Sequence, residues 1–255
     1  MLVAIDIGNT NITIGLFDGD DLLKQNYRIT TKVRRTSDEY GLMLQQFLMF
    51  ANVTRDEIDD VIISSVVPKV MHSFKNGVMK VFGIEPILLN PNLNTGINIT
   101  LENPRSTGLD RIADCAGAYY HHGGNILVID FGTATTYNYV DKDGNFSSGL
   151  ISVGIETAAS ALASNTSQLP EIAIKKPEKI MATNTHEEME AGIFYLYVGG
   201  VDYIISEYKK VAGDDMKVIT TGGLGRVLCE HVKQIDVYDP GLIFKGLKVI
   251  YDYNK

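Results

Sequence analysis

Two stretches of this chain carry the same pattern. Residues 2–19 read LVAIDIGNTNITIGLFDG, and residues 126–143 read ILVIDFGTATTYNYVDKD. Each is an apolar run ending on an aspartate, then one apolar residue, a glycine, small polar residues, an alternating run, and an acidic turn. Aligning Asp130 with Asp6 sets Gly132 on Gly8 and Thr136 on Ile12, an offset of 124 (130 − 6), about half of the 255 residues. Apolar and alternating runs on either side of a tight turn make a β-hairpin. A repeat at half the chain length makes the fold two related halves, each opening on such a hairpin.

The turn also carries chemistry. Asp6 ends the strand, Gly8 opens the bend, and Asn9, Thr10, Asn11 and Thr13 add small polar groups. A phosphate chain with its metal ion calls for close backbone approach, N–H donors and a carboxylate for the cation or its waters. One such turn alone is equally a polar hairpin at a domain edge. Two, from two related halves, can hold the phosphates of one nucleotide from opposite sides. A third glycine-rich stretch, TTGGLG at 220–225, would let backbone approach an adenosine or ribose; otherwise it is a strand-to-helix turn.

The rest of the chain alternates strands and helices. Leu22–Thr30 reads as a strand, and Ser37 as the N-cap of a helix with apolar positions at Tyr40, Met43, Leu44, Phe47 and Leu48. Val61–Val67 fits a buried parallel strand, Pro68 starts a helix, and Ile84–Leu89 is a short strand. Residues 90–110, rich in Asn, Pro, Gly and Thr, form a long loop of the kind that carries function. Arg111–His122 follows as a helix. In the second half, a strand near Phe146–Ser152, a helix from Ile155 to Ala163 and an irregular proline-bearing stretch precede a long helix. Thr185 with Glu188 fits a capping box for that helix. Its Gly192, Gly199 and Gly200 each cost about 1 kcal/mol relative to alanine, which close packing against another helix or chain would offset. A strand at Lys217–Thr221 and a helix after Pro240-Gly241 complete an α/β fold of two mixed sheets flanked by helices.

Composition excludes several classes. A formal charge of −8 argues against a nucleic-acid-binding surface, and the basic cluster Lys32–Arg35 reads as a solvated loop. No apolar run reaches the roughly 18 residues of a membrane span, and the start lacks a basic leader, so a cytoplasmic protein is expected. Cys115 and Cys229 are too few and too far apart for a disulfide framework or a CxxC site. The histidines show no metal-ligand spacing. Walker A, GxGxxG, HExxH and GxSxG sequences are all missing.

DIGNTN, the DFGTA turn and TTGG together resemble the phosphate-1, phosphate-2 and adenosine elements of the actin/hexokinase/Hsp70-like ATPases. The ordered set DIGNTNIT, NPRSTGLDR, DFGTATT, NTHEEMEAGI and TTGGLG, spanning residues 2 to about 247, is similar to type III pantothenate kinase. The resemblance implies two duplicated actin-like (ribonuclease H-like) ATPase domains, with boundaries expected at 1–117 and 118–255. It implies ATP-dependent phosphorylation of the primary hydroxyl of pantothenate, the first step towards coenzyme A. Asp110 of Gly108-Leu109-Asp110-Arg111 would be the catalytic base. Asp6, Ile7, Gly8, Asn9, Thr10, Asn11, Ile12, Thr13 and Thr133 would bind ATP. Gly108, Leu109, Arg111 and Thr185 would join Asp110 in binding pantothenate. Asp130 would hold a monovalent cation, K+ or NH4+, and Mg2+ would accompany ATP. A homodimer with the site near its interface is implied, which agrees with the glycine-marked helix. Without that resemblance, Asp110 reads as a helix N-cap, Arg111 as a surface ion pair and Thr185 as a structural cap.

This chain departs from the family pattern in three places. Leu101 stands where many members carry a tyrosine of the pantothenate site, Ser152-Val153-Gly154 where a Pro-Gly pair is common, and Leu196 where a glycine usually follows an aromatic pair. The first bears on substrate affinity and the others on local geometry. Two rival functions follow: a kinase of the same fold for another small hydroxylated acid, and a non-catalytic nucleotide-binding regulator like the Bvg accessory factors.

Overall fold

The computed structural model describes residues 1–23 and 26–255. The first elements are β1 (Leu2–Ile7), β2 (Asn11–Asp18), β3 (Asp21–Leu22), β4 (Tyr27–Thr30), α1 (Ser37–Ala51), β5 (Asp60–Ser65), α2 (Pro68–Phe82) and β6 (Ile87–Leu88). After them come β7 (Asn98–Ile99), α3 (Leu109–His122), β8 (Ile126–Phe131), β9 (Ala134–Val140), β10 (Asn145–Val153) and α4 (Ile155–Ser164). The chain closes with α5 (Thr185–Ala212), β11 (Lys217–Thr221), α6 (Gly225–Cys229), β12 (Val237–Tyr238) and α7 (Leu242–Asn254).

The two sheets repeat one plan. In the first the order is β3-β2-β1-β5-β6, with β4 also on β2; in the second it is β12-β11-β8-β9-β10-β7. β1 lies antiparallel to β2 and parallel to β5, as β8 lies antiparallel to β9 and parallel to β11. The α/β class and the mixed sheets flanked by helices are therefore as expected.

The chain separates into two compact units. One comprises residues 1–98, 102–121 and 241–255; the other comprises 99–101 and 122–240. A division at 117/118 would assign α7 to the second unit, whereas it packs in the first. The reason is a pair of glycines: a Cβ on Gly246 would lie 1.8 Å from the Ala113 carbonyl oxygen, and one on Gly117 would lie 2.8 Å from the Gly246 nitrogen. Only bare backbone lets α3 and α7 approach this closely. Together they cover one face of the first sheet, where Leu2, Ala4, Phe17 and Ile62 meet Ala113, Ala116, Phe244, Leu247 and Ile250. The opposite face, with Val3, Ile5, Ile7, Ile12 and Ile14, packs on Tyr40, Leu44, Phe74 and Val78 of α1 and α2. In the second unit, Leu127, Ile129 and Phe131 pack with Ile155, Ile193, Phe194, Val201 and Ile205.

Several local expectations shift. The strand expected over 22–30 is two short strands on β2, and Lys24 and Gln25 lie outside the described residues. Thr36, not Ser37, caps α1: its hydroxyl accepts from the Glu39 N–H while the Glu39 carboxylate accepts from the Thr36 N–H at 2.7 Å. The strand expected over 84–89 contracts to Ile87–Leu88, and the 90–110 loop holds β7 and a short 3-10 turn at Pro104–Ser106. α3 begins at Leu109, so Asp110 lies inside its first turn and is not its cap.

Candidate active site

In the first unit, the Gly8 N–H donates to the Asn11 carbonyl at 2.9 Å and closes the β1–β2 turn. The Thr31 N–H donates to the Thr10 carbonyl at 2.9 Å, and its hydroxyl to the Gly8 carbonyl at 2.8 Å, so the chain after β4 braces the turn. Asn9 is exposed at the tip, and Gly8, Thr10, Asn11 and Thr13 are partly exposed. Ile7 and Ile12 are fully buried, so only their backbone could meet a ligand. Asp6 pairs across the sheet with Thr13 on one side and Ser64 on the other. Directly opposed residues project from the same face, so the carboxylate is flanked by two hydroxyl side chains. That face is the one covered by α3 and α7.

The second unit repeats the arrangement. Asp130 pairs with Thr136 of β9 and Thr221 of β11, again a carboxylate between two hydroxyl residues. The turn is one residue tighter: the Gly132 N–H donates to the Ala134 carbonyl at 3.1 Å. Thr136 therefore corresponds to Thr13, and the alignment of Thr136 on Ile12 holds only up to the turn. The Thr133 side chain is exposed, and its carbonyl accepts from the Gly154 N–H at 3.1 Å and the Thr157 hydroxyl at 2.7 Å. A Cβ on Gly154 would meet the Gly132 and Thr133 carbonyl oxygens at 2.3 and 2.4 Å. Gly154 thus leaves no room for a side chain.

The TTGGLG stretch belongs to this turn. Gly222 has φ +92°, and a Cβ there would lie 2.4 Å from Asp130 Oδ1 and 2.6 Å from the Phe131 nitrogen. Its carbonyl accepts from the Tyr238 hydroxyl at 3.1 Å. Backbone on Gly132 and Gly222 thus closes around the Asp130 carboxylate, leaving no room for a side chain at Gly222. Among the described residues no group of three or more His, Cys, Asp or Glu is gathered as for a metal ion.

Asp110 is the second residue of α3 and partly buried. Its Oδ1 accepts from the Arg111 N–H at 2.8 Å, and the missing Cβ of Gly108 gives it room, since a Cβ there would come within 2.4 Å of Oδ1. One turn on, Asp114 is buried at 3% exposure. Burial and the Asp114 charge push the Cys115 thiol well up, with Arg111 opposing, so this cysteine is inert.

Thr185 opens α5 without capping it. The cap is Asn184, whose side chain accepts from the Glu187 N–H at 3.1 Å. Thr185 is exposed. A hydrogen bond from the Asn184 side chain to the Glu187 carboxylate, and Lys179 at 3.2 Å from it, lower the Glu187 pKa. Farther along, Gly192, Gly199 and Gly200 have open space around them, and Leu196 and Tyr203 are 68% and 66% exposed. Among the described residues no neighbour packs at these glycines as expected. Leu101, after β7, is partly buried.

Asp6, the Gly8–Thr13 turn and the Gly108–Arg111 segment thus belong to the first unit, whereas Asp130, Thr133 and Thr185 belong to the second. Sequence reading missed Ser64 and Thr221, because pairing between strands distant in sequence leaves no local signal.

A profile of the type III pantothenate kinase family matches residues 2–207. A type III pantothenate kinase of Bifidobacterium longum subsp. infantis is 52% identical over 254 residues, covering 100% of this chain and 99% of its own. Among solved structures, a conserved Baf-family protein of Campylobacter jejuni superposes with a TM-score of 0.60 at 21% identity, covering 99% of this chain and 98% of that one. A ROK-family glucokinase of Streptomyces griseus gives 0.55 at 12% identity over 98% of each chain. The two structures share the fold, the kinase relative is half identical from end to end, and the chain belongs to the type III pantothenate kinase family.

Proposed function

We propose that this chain transfers the γ-phosphoryl group of ATP to the primary hydroxyl of pantothenate, giving 4'-phosphopantothenate at the first step of coenzyme A synthesis. The observation that carries the reading is the Asp110 carboxylate in the first turn of α3, the helix packed on the sheet face that bears Asp6. The hydroxyl oxygen bonds to the γ-phosphorus as the bond to the β–γ bridging oxygen breaks. The hydroxyl proton passes to Asp110, and ADP leaves. Backbone and side chains from Asp6 to Thr13, with Thr133, hold the phosphates. Gly108, Leu109, Arg111 and Thr185 form the acceptor side, and Thr185 is free for it because Asn184 supplies the cap.

Asp130 would hold a monovalent cation, K+ or NH4+, and Mg2+ would travel with ATP; both neutralise phosphate charge. The exposed, glycine-marked face of α5 is the contact with a second copy, with the substrate site near that interface. Among the described residues no helix is long and apolar enough to cross a membrane; a cytoplasmic location is the one that membership of a metabolic kinase family supports. Leu101, in place of the tyrosine common in relatives, supports one second reading: another small hydroxylated acid as acceptor.

The test is pantothenate-dependent ADP release by the wild type and Asp110→Asn. The substitution is expected to lower kcat by about 10²–10⁴-fold while ATP binding persists. Full turnover in the variant would remove Asp110 as the base. Turnover on a different hydroxylated acid, with none on pantothenate, would replace the acceptor.

A further inference from the structure

The basic segment after β4 reads as a solvated loop by composition, but the first unit gives it a different setting. From Arg28 to Ser37 the chain carries Arg28, Lys32, Arg34 and Arg35 with no acidic residue between them, on a protein of net charge −8. β4 pairs with β2 in a register that sets Arg28 opposite Thr13, while Thr13 is opposite Asp6 and Asp6 opposite Ser64. These four residues form one row across neighbouring strands and project from the same face. Ile29, between Arg28 and Thr30, points into the other core. At about 4.8 Å per strand, the Arg28 backbone lies roughly 10 Å from that of Asp6, a separation the arginine side chain can shorten.

The loop that follows is fixed to the same turn. Besides the two Thr31 bonds to Thr10 and Gly8, Arg35 Nη1 donates to the Thr30 carbonyl at 2.8 Å and to the Val33 carbonyl at 3.3 Å. Arg35 thus holds the loop's shape. Arg28, Lys32 and Arg34 are exposed, and none forms an ion pair among the described residues. Like charges gathered without a counter-ion repel one another, and an anion at their centre relieves that repulsion and is concentrated by it. A guanidinium adds paired donors matched to phosphate oxygens.

We infer that Arg28, supported by Lys32 and Arg34, is the cationic wall of the phosphate site: it binds the ATP polyphosphate chain held by the Gly8–Thr10 turn. The inference rests on the reading of that turn as the phosphate cradle. It is tested with the full-length protein by steady-state kinetics and by direct binding of ATP and of adenosine. Arg28→Gln is expected to raise the KM for ATP about 10-fold, and the Lys32→Gln/Arg34→Gln pair about 3-fold, with Arg28→Lys in between. Adenosine affinity and the KM for pantothenate stay unchanged, as does everything in Lys217→Gln, a control for one lost charge.

Raising ionic strength with choline chloride at constant potassium lowers kcat/KM for ATP in the wild type, and less in the variant combining Arg28→Gln, Lys32→Gln and Arg34→Gln. An unchanged ATP KM and salt slope in Arg28→Gln overturns the inference, as does a rise in pantothenate KM alone, which assigns the arginine to the acid instead. Asp6→Asn separates this from failure of the underlying reading. If it retains wild-type ATP affinity, the cradle lies elsewhere and both fall. If it loses ATP while Arg28→Gln does not, the cationic wall alone is dismissed.

Discussion

Asn184 and Thr185 are adjacent and do different work. The Asn184 side chain satisfies an amide at the start of α5, whereas the exposed Thr185 hydroxyl has no capping duty. Asn184→Ala is expected to cost about 1 kcal/mol, seen as a lower denaturation midpoint, with the KM for pantothenate nearly unchanged. Thr185→Ala reverses the pattern: stability within about 0.5 kcal/mol of the wild type and a raised pantothenate KM. An equal loss of stability in both variants would return the cap to Thr185. The sequence could not separate the two, because Asn-Thr-His-Glu-Glu sets a carboxylate three residues after each candidate. At α1 the signal was available: Thr36 has Glu39 three residues on, whereas Ser37 has Tyr40. Asp6 and Asp130 were legible from the repeated aspartate-glycine turn, whereas Asp110 stood out only through the resemblance of its Gly-Leu-Asp-Arg motif. Ser64 and Thr221 were not, since what brings them beside the aspartates is register across the sheet.

Among the elements, α3 carries Asp110, the proposed base, and its place depends on α7. Gly246→Ala would put a methyl group 1.8 Å from the Ala113 carbonyl, so the helices must separate. Overpacking of this kind costs about 1–3 kcal/mol, and here it would also displace the proposed base, Asp110. We expect a lower unfolding midpoint together with reduced kcat, measured by denaturation and turnover on the same preparation; wild-type behaviour in both would mean the helices tolerate the added distance. The hairpins, helices and parallel strands around this contact were readable from periodicity and turn residues. The contact itself was not, because a glycine inside a helix pattern marks close approach without naming the partner. The one-residue difference between the two turns was hidden for a related reason: alignment by residue count assumes equal spacing, and only cross-strand pairing shows where it ends.

Taken whole, the molecule has an unpartnered face on α5, where Gly192, Leu196, Gly199 and Tyr203 recur at helical spacing with open space around the glycines. Under the dimer proposal, Leu196→Asp converts the protein from dimer to monomer in analytical ultracentrifugation. It also lowers turnover on pantothenate while ATP binding persists. A wild type that is monomeric and active at assay concentration would rule the proposal out.

The division of the chain also bears on its synthesis. The second unit is nearly one continuous stretch, but the first begins with β1 and is finished by residues 241–255. Leu2, Ala4 and Ile62 share their core with Phe244, Leu247 and Ile250. On the ribosome, β1 therefore emerges well before α7, and the part of its apolar face that α7 covers stays open until that helix is made. During that interval the incomplete first unit carries exposed apolar surface, the condition under which nascent chains aggregate.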